Sequence, residues 1–162
     1  MNAPMMLSPE SLARIDKAIA KYPADQRQSA VMAALTVAQS EKGWLSTETM
    51  DFVAKYLGMP PIAVYEAASF YGMYDLQPVG RHKITICTNL PCALQGANVA
   101  AQHLKQKLGI GFNETTADGK YTLKEAECFG ACGDAPVLLM NNKRMCCAMT
   151  PDRLDTLLKE LE

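Results

Sequence analysis

Two pairs of cysteines in the second half of the chain constrain its fold more than any other feature. Four residues separate the cysteines of the pair Cys87–Cys92, and three separate those of the pair Cys128–Cys132. Each pair follows a short alternating segment that predicts a β-strand, residues 83–87 and 120–127. A helical pattern over residues 93–108 lies between these strands, which predicts a parallel, right-handed crossover.

This topology brings the two cysteine pairs together. Adjacent parallel strands end at the same edge of a sheet, and the loops that follow them project the same way. Four thiolates in one small volume require a metal centre to compensate their charge. The candidate ligands are therefore Cys87, Cys92, Cys128 and Cys132.

The spacing alone leaves the metal open. Zinc sites with four cysteines commonly use shorter spacings, especially two intervening residues. Spacings of four and three favour a two-iron cluster, in which each pair binds one iron. Buried cysteines or two disulfides are the simpler alternative, which the position of both pairs in loops after strands disfavours.

The remaining elements predict an α+β protein with two parts. Residues 1–78 carry short amphipathic helical patterns, which predict an N-terminal helical bundle. Residues 79–162 carry the strand–helix–strand unit, then two short strands and a final helix. That order of elements is typical of a thioredoxin-like fold. We expect the helix after Pro23 to run unbroken over residues 24–42 and the later one over residues 93–108.

Charge and terminal sequence exclude several functional classes. Sixteen basic and seventeen acidic residues leave a net charge of −1, without the basic run of a nucleic-acid-binding protein. Residues 1–8 show neither a signal-peptide pattern nor a transit-peptide pattern, and no apolar stretch is long enough to span a bilayer. We therefore expect a cytoplasmic protein, in which six cysteines are metal ligands or redox groups before they are disulfides.

Four further residues are weaker candidates for chemistry. Cys146 and Cys147 are neighbours in a predicted strand, so their side chains point to opposite faces. We interpret them as one core residue and one surface thiol, and not as ligands. His82 and His103 have no carboxylate or cysteine at ligand spacing in the sequence, so we expect both at the solvated surface.

Several motifs resemble one known family. Cys-Thr-Asn-Leu-Pro-Cys at 87–92 and Glu-Cys-Phe-Gly-Ala-Cys-Gly-Asp-Ala-Pro at 127–136 are the most specific, supported by Gly-Trp-Leu-Ser at 43–46 and Ser-Phe-Tyr at 69–71. From about residue 8 to 161 the chain resembles the small [2Fe–2S] subunit of bacterial NADH:quinone oxidoreductase (respiratory complex I), called the E subunit or the 24 kDa subunit. The segment at 144–149 departs from many relatives in its paired cysteines.

The resemblance implies a thioredoxin-like [2Fe–2S] ferredoxin domain at 79–162, with the family's ligand positions at Cys87, Cys92, Cys128 and Cys132. It implies one [2Fe–2S] cluster that exchanges single electrons with FMN in a larger, NADH-binding subunit. It further implies a peripheral position on the cytoplasmic face of the inner membrane, among the other peripheral-arm subunits of a respiratory-chain enzyme. On this interpretation the chain is an enzyme subunit without a complete active site of its own.

The sequence leaves alternatives to this function. The small subunits of NAD-linked formate dehydrogenases and of NAD-reducing hydrogenases are similar and carry the same four cysteines. A zinc-stabilised interaction module is an alternative of a different class. A disulfide oxidoreductase is disfavoured, because such proteins use two residues between their cysteines and the pair at 87–92 has four.

Overall fold

The computed structural model describes residues 6–161. The chain divides into two compact units, Met1–Pro78 and Val79–Glu162. The first consists of helices and the second contains a mixed five-stranded sheet, which confirms the predicted α+β class. No helix among the described residues has the length and apolar character needed to cross a bilayer.

Residues 6–78 of the first unit contain four α-helices, which begin and end at the signals in the sequence. They are α1 (Pro9–Ile19), α2 (Val31–Lys42), α3 (Thr47–Leu57) and α4 (Pro61–Phe70). The side chain of Ser8 accepts a hydrogen bond from the backbone N–H of Ser11, and Ser46 caps α3 in the same way. The apolar stripes of the helices meet in one core, which includes Ile15, Leu35, Val53 and Val64.

The expectation of one helix over residues 24–42 is wrong. Ala24–Ala30 is a 3-10 helix with non-helical angles at Gln26 (φ −114°, ψ 26°), and α2 begins only at Val31. The physical reason is the polar sequence of this segment, of which only Ala30 is buried. Because this segment has no apolar stripe to bury, packing against the rest of the unit does not favour an α-helix over the more tightly wound 3-10 helix.

The second unit is built on a sheet in the order β2-β3-β1-β4-β5. Its strands are β1 (His82–Cys87), β2 (Glu114–Thr115), β3 (Tyr121–Ala126), β4 (Leu138–Met140) and β5 (Arg144–Cys146). As predicted, β1 and β3 are parallel, whereas β4 runs antiparallel to both β1 and β5. The short edge strand β2, which pairs with β3, was not expected from the sequence.

Helices α5 (Leu90–Leu94), α6 (Ala97–Leu108) and α7 (Pro151–Glu160) complete this unit. The single helix expected over residues 93–108 is instead interrupted at Gly96, whose φ of 92° lies in the left-handed region that favours glycine. The core lies where α6 and α7 pack on the sheet and includes Ile84, Leu104 and Leu123.

We expected His103 to be a surface histidine without a carboxylate partner, but the structure gives it one. Its Nε2 lies 2.7 Å from Oδ1 of Asp155, and Nζ of Lys107 lies 3.3 Å from the other oxygen of that carboxylate. The hydrogen bond from His103 is the main cause that holds the pKa of Asp155 below its usual range. These contacts join α6 to α7, which the sequence spacing could not show.

Gly80 permits a close approach of two backbone segments at the start of the sheet. A Cβ atom there would lie 2.9 Å from the carbonyl carbon of Tyr121 and 3.0 Å from the carbonyl oxygen of Gly119. We expect Gly80→Ala to lower the free energy of unfolding by about 1–3 kcal/mol, because backbone atoms cannot move aside alone. Gly72→Ala, where a Cβ meets nothing within 4 Å, is the control in a thermal denaturation experiment. Equal melting temperatures for both variants would contradict this expectation.

Candidate metal centre

The four cysteines lie in the two loops that follow β1 and β3. Cys87 is the last residue of β1, and Cys92 lies on the short helix α5 immediately beyond it. Cys128 follows the end of β3, and Cys132 begins a 3-10 helix, Cys132–Asp134. In the register of the parallel pair, Cys87 stands opposite Ala126, so both loops leave the sheet at the same edge.

The thiols of the two pairs lie near enough to influence one another's pKa. The pKa of Cys92 is raised first by burial, and also by a hydrogen bond between its thiol and Cys87 and by the charges of Cys87 and Cys132. The pKa of Cys132 is raised first by the hydrogen bond between its thiol and Cys128, and also by the charges of Cys128 and Cys87. The structure therefore brings together the four residues selected from the sequence, and a cationic centre is what would hold them as thiolates.

The geometry of the outer pair suits one tetrahedral iron. The Sγ atoms of Cys128 and Cys132 are 3.7 Å apart. Two thiolates bound about 2.3 Å from one tetrahedral metal lie about 3.8 Å from each other. In the part of the chain from residue 6 to 161, no three His, Cys, Asp or Glu side chains form a site for a single ion. A two-iron cluster needs only two pairs, each on its own iron, and the residues present fit that group.

Backbone N–H groups are directed at the sulfur atoms. The N–H of Gly130 donates to Sγ of Cys128 at 3.3 Å. A backbone hydrogen bond from Val137 lowers the pKa of Cys92 and so partly opposes the effect of its burial. Such donors stabilise negative charge on sulfur and tune the reduction potential of iron–sulfur centres.

The two pairs differ in their exposure to solvent. Cys87 and Cys92 are each only 1% exposed and form a small apolar cluster with Ala97 and Val137. Cys128 and Cys132, by contrast, are exposed. One side of the site is therefore sealed by the domain's own side chains, and the other faces outward.

Two side-chain hydrogen bonds tie the ligand loops to each other. Oγ1 of Thr88 donates to Glu125 at 2.6 Å, and Nδ2 of Asn89 donates to Glu127 at 2.8 Å. The spacing of the cysteines gave no sign of these pairs. Because they cross from the first loop to the end of β3 and the start of the second loop, they fix the cysteine pairs relative to one another.

Cys146 and Cys147 were interpreted from the sequence as one core residue and one surface thiol. Cys146 is buried in the core of the sheet unit, as a core residue should be. Cys147 is a free thiol that is only partly exposed, and it packs against the apolar cluster around Cys87 and Cys92. The segment is held there by backbone hydrogen bonds from Ala148 to Asp134 and from Met149 to Pro136. Strand β5 ends at Cys146, so Cys147 lies just beyond the strand that was predicted to contain both cysteines.

The fold defines a class of protein, namely a thioredoxin-like protein, and its two cysteine pairs follow β1 and β3 at one edge of the sheet. The sequence model of the thioredoxin-like [2Fe–2S] ferredoxin family matches residues 15–162. The chain is 38% identical over 153 residues to the E subunit of NADH-quinone oxidoreductase from Rickettsia bellii, covering 94% of this chain and 91% of that protein. It therefore belongs to the thioredoxin-like [2Fe–2S] ferredoxin family and, within it, to the E subunits of NADH-quinone oxidoreductase, and its cofactor is one [2Fe–2S] cluster. This confirms the family expected from the motifs.

One further relative and one solved structure have chains longer than this one. It is 41% identical over 142 residues to the mitochondrial NADH dehydrogenase [ubiquinone] flavoprotein 2 of Dictyostelium discoideum, covering 87% of this chain but only 58% of that protein. Among solved structures, the air-oxidised NAD+-reducing [NiFe]-hydrogenase aligns with a TM-score of 0.72 at 24% identity. That alignment covers 86% of this chain and 24% of the hydrogenase chain, and it shows a shared fold.

Proposed function

We propose that Cys87, Cys92, Cys128 and Cys132 hold the [2Fe–2S] cluster and that the chain exchanges single electrons with FMN in an adjacent, NADH-binding subunit of NADH:quinone oxidoreductase. The observation that carries this proposal is the convergence of the four thiols where β1 and β3 end. The relatives named as parts of NADH-quinone oxidoreductase favour that enzyme over a formate dehydrogenase or a hydrogenase.

The bound cluster supplies a one-electron redox centre, and the residues of the chain control its surroundings. Cys87 and Cys92 lie under Val137 and Ala97, which exclude water from the inner side. The N–H groups of Gly130 and Val137 stabilise negative charge on sulfur. The exposed outer pair provides the side at which a partner can approach.

We assign the NADH and FMN sites to the partner subunit, and the association with other peripheral-arm subunits to the assembled complex. The compact units Met1–Pro78 and Val79–Glu162 are then a helical domain and a cluster-binding domain. The complex places the chain on the cytoplasmic face of the inner membrane. The relatives support this arrangement through their names, which refer to NADH dehydrogenase and NADH-quinone oxidoreductase.

Metal analysis of anaerobically purified full-length protein tests the cofactor. We expect about two irons and two sulfides per chain, with a rhombic EPR signal after reduction by dithionite. Stoichiometric zinc with less than one iron would overturn the proposal in favour of the interaction module.

Adding NADH tests the electron partner. With the chain alone we expect no reduction of the cluster, and with the flavin-containing subunit we expect the EPR signal to appear. Failure of the signal to appear in the mixture, while dithionite still produces it, would contradict the proposed exchange.

A further inference from the structure

A second group of sulfur-containing residues lies apart from the four proposed cluster ligands. An open pocket of about 430 Å³ lies between β5 and α7, and its lining includes Met145, Cys146, Cys147 and Met149. Both of these cysteines are free thiols. Two thiols and two thioethers from one short stretch of chain therefore share a pocket that the [2Fe–2S] cluster does not use.

The path of the chain explains how two neighbouring cysteines reach the same pocket. In a continuous strand the side chains of Cys146 and Cys147 would point to opposite faces. Strand β5 ends at Cys146, however, and Ala148 has a left-handed backbone with a φ of 51°. The N–H of Ala148 donates to the carbonyl oxygen of Asp134 at 2.8 Å, which holds this turn. The alternation of the strand therefore stops before Cys147.

The pocket has a buried side and a side open to solvent. Cys146 and Met149 are 7% and 6% exposed and belong to the core of the sheet unit. Met145 is 41% exposed and Cys147 is partly exposed. Burial is the main cause that raises the pKa of the Cys146 thiol, and the charge of Cys147 raises it further. The charge of one thiol of the pocket therefore reaches the other.

The donor atoms favour a soft metal ion. Thiolate and thioether sulfur select soft ions such as Cu(I), whereas Mg²⁺ and Ca²⁺ require oxygen ligands. Among the described residues that line the pocket, the only carboxylate is that of Glu160, which lies 3.9 Å from a guanidinium nitrogen of Arg144. Zinc sites use four ligands from cysteine, histidine and carboxylate side chains, and this lining has two cysteines and no histidine.

The charges around the pocket suit a monovalent ion held by two thiolates. Such a complex carries a net charge of −1, because each thiolate contributes one negative charge. Arg144 and Arg153 both line the pocket, and Nη1 of Arg153 donates to the carbonyl oxygen of Cys147 at 3.2 Å. Their guanidinium groups offset the negative charge of the complex.

We propose that Met145, Cys146, Cys147 and Met149 form a second metal site, which binds one Cu(I) ion. The two cysteines bind the ion as thiolates, and each releases its proton to water. Met149 supplies a thioether from the buried side, and Met145 covers the ion on the open side. The site is separate from the [2Fe–2S] cluster and from electron exchange with flavin.

Anaerobic competition with the Cu(I) chelator bicinchoninate tests the site in full-length protein that carries its [2Fe–2S] cluster. We expect one Cu(I) per chain, with the EPR signal of the dithionite-reduced cluster retained. X-ray absorption at the copper edge should show sulfur as the neighbouring atoms. Cys146→Ser and Cys147→Ser should each lower the affinity for Cu(I) by about a hundredfold or more, and Met149→Leu by about tenfold.

Met50→Leu is the matched control for Met149→Leu. Met50 is 4% exposed, as deeply buried as Met149, but it lies in the core of the helical unit. This variant should bind Cu(I) as the unmodified protein does. Cys147→Ser keeps the test decisive if Cys146→Ser does not fold, because Cys147 is partly exposed.

Three outcomes would overturn the proposed site. They are failure of the unmodified protein to compete with the chelator, undiminished affinity in both Cys147→Ser and Met149→Leu, and binding of copper only in exchange for iron. The last outcome would assign the copper to the four cluster cysteines. None of them bears on the proposed function, which the iron content and EPR signal before copper addition test separately.

Discussion

Replacing Cys132 by serine is expected to remove most of the iron from the purified protein and to abolish or strongly distort its [2Fe–2S] EPR signal. A hard hydroxyl would replace a soft thiolate at one of the two positions 3.7 Å apart on the outer side of the site. The same result is expected for Cys87→Ser, Cys92→Ser and Cys128→Ser. Iron analysis and EPR of the reduced protein measure both effects.

Cys146→Ser and Cys147→Ser are the matched controls, since each removes a thiol from the same domain. Both proteins should keep their iron and their signal. Cys147 is the more demanding control, because it packs against the cluster of residues around Cys87 and Cys92. If Cys147→Ser lost the signal while one of the four proposed ligands tolerated serine, the ligand set would be wrong.

Leu123→Ala is expected to cost about 2–5 kcal/mol of unfolding free energy. Leu123 is fully buried in the middle of β3 and belongs to the core with Ile84 and Leu104. Truncation there leaves a cavity in the strand that leads to Cys128 and Cys132. Urea denaturation of the cluster-loaded protein, followed by circular dichroism, gives the free energy.

Val99→Ala provides the comparison for the core substitution. Val99 lies on α6 and is 63% exposed, so its truncation should change stability by no more than about 0.5 kcal/mol. A loss below about 1 kcal/mol for Leu123→Ala would show that the core around β3 relaxes far more readily than its burial suggests.

Patterns of short range were sufficient to predict the elements that carry the site. Alternating residues predicted β1 and β3, and the intervening helix predicted their parallel pairing, which the register confirms. The cap at Ser8 and the end of α3 before Gly58 were likewise predictable. The family motifs then supplied the type of cluster, which the spacing of the cysteines alone had left open.

What the sequence did not reveal depends on contacts between distant residues. The pairing of His103 with Asp155 joins positions 52 residues apart. The contact of Cys147 with the cysteine cluster depends on the path of the chain after β5. The break at Gly96 was missed because apolar spacing continues across it, although a glycine there has a left-handed conformation. Periodicity describes faces of elements, and it does not show where a chain must turn.

The parallel register of β1 and β3 determines how the two cysteine-containing loops are aligned with each other. Side chains alternate along a strand, so a slip of one residue would turn the apolar face of β3 outward and is strongly disfavoured. A slip of two residues keeps the faces but moves the second loop by about 6.6 Å relative to the first. The alternating pattern does not distinguish such a mispaired sheet from the native one. A cluster held by all four cysteines, as proposed, would distinguish them, because the native register sets Cys87 opposite Ala126 and both loops at one edge of the sheet.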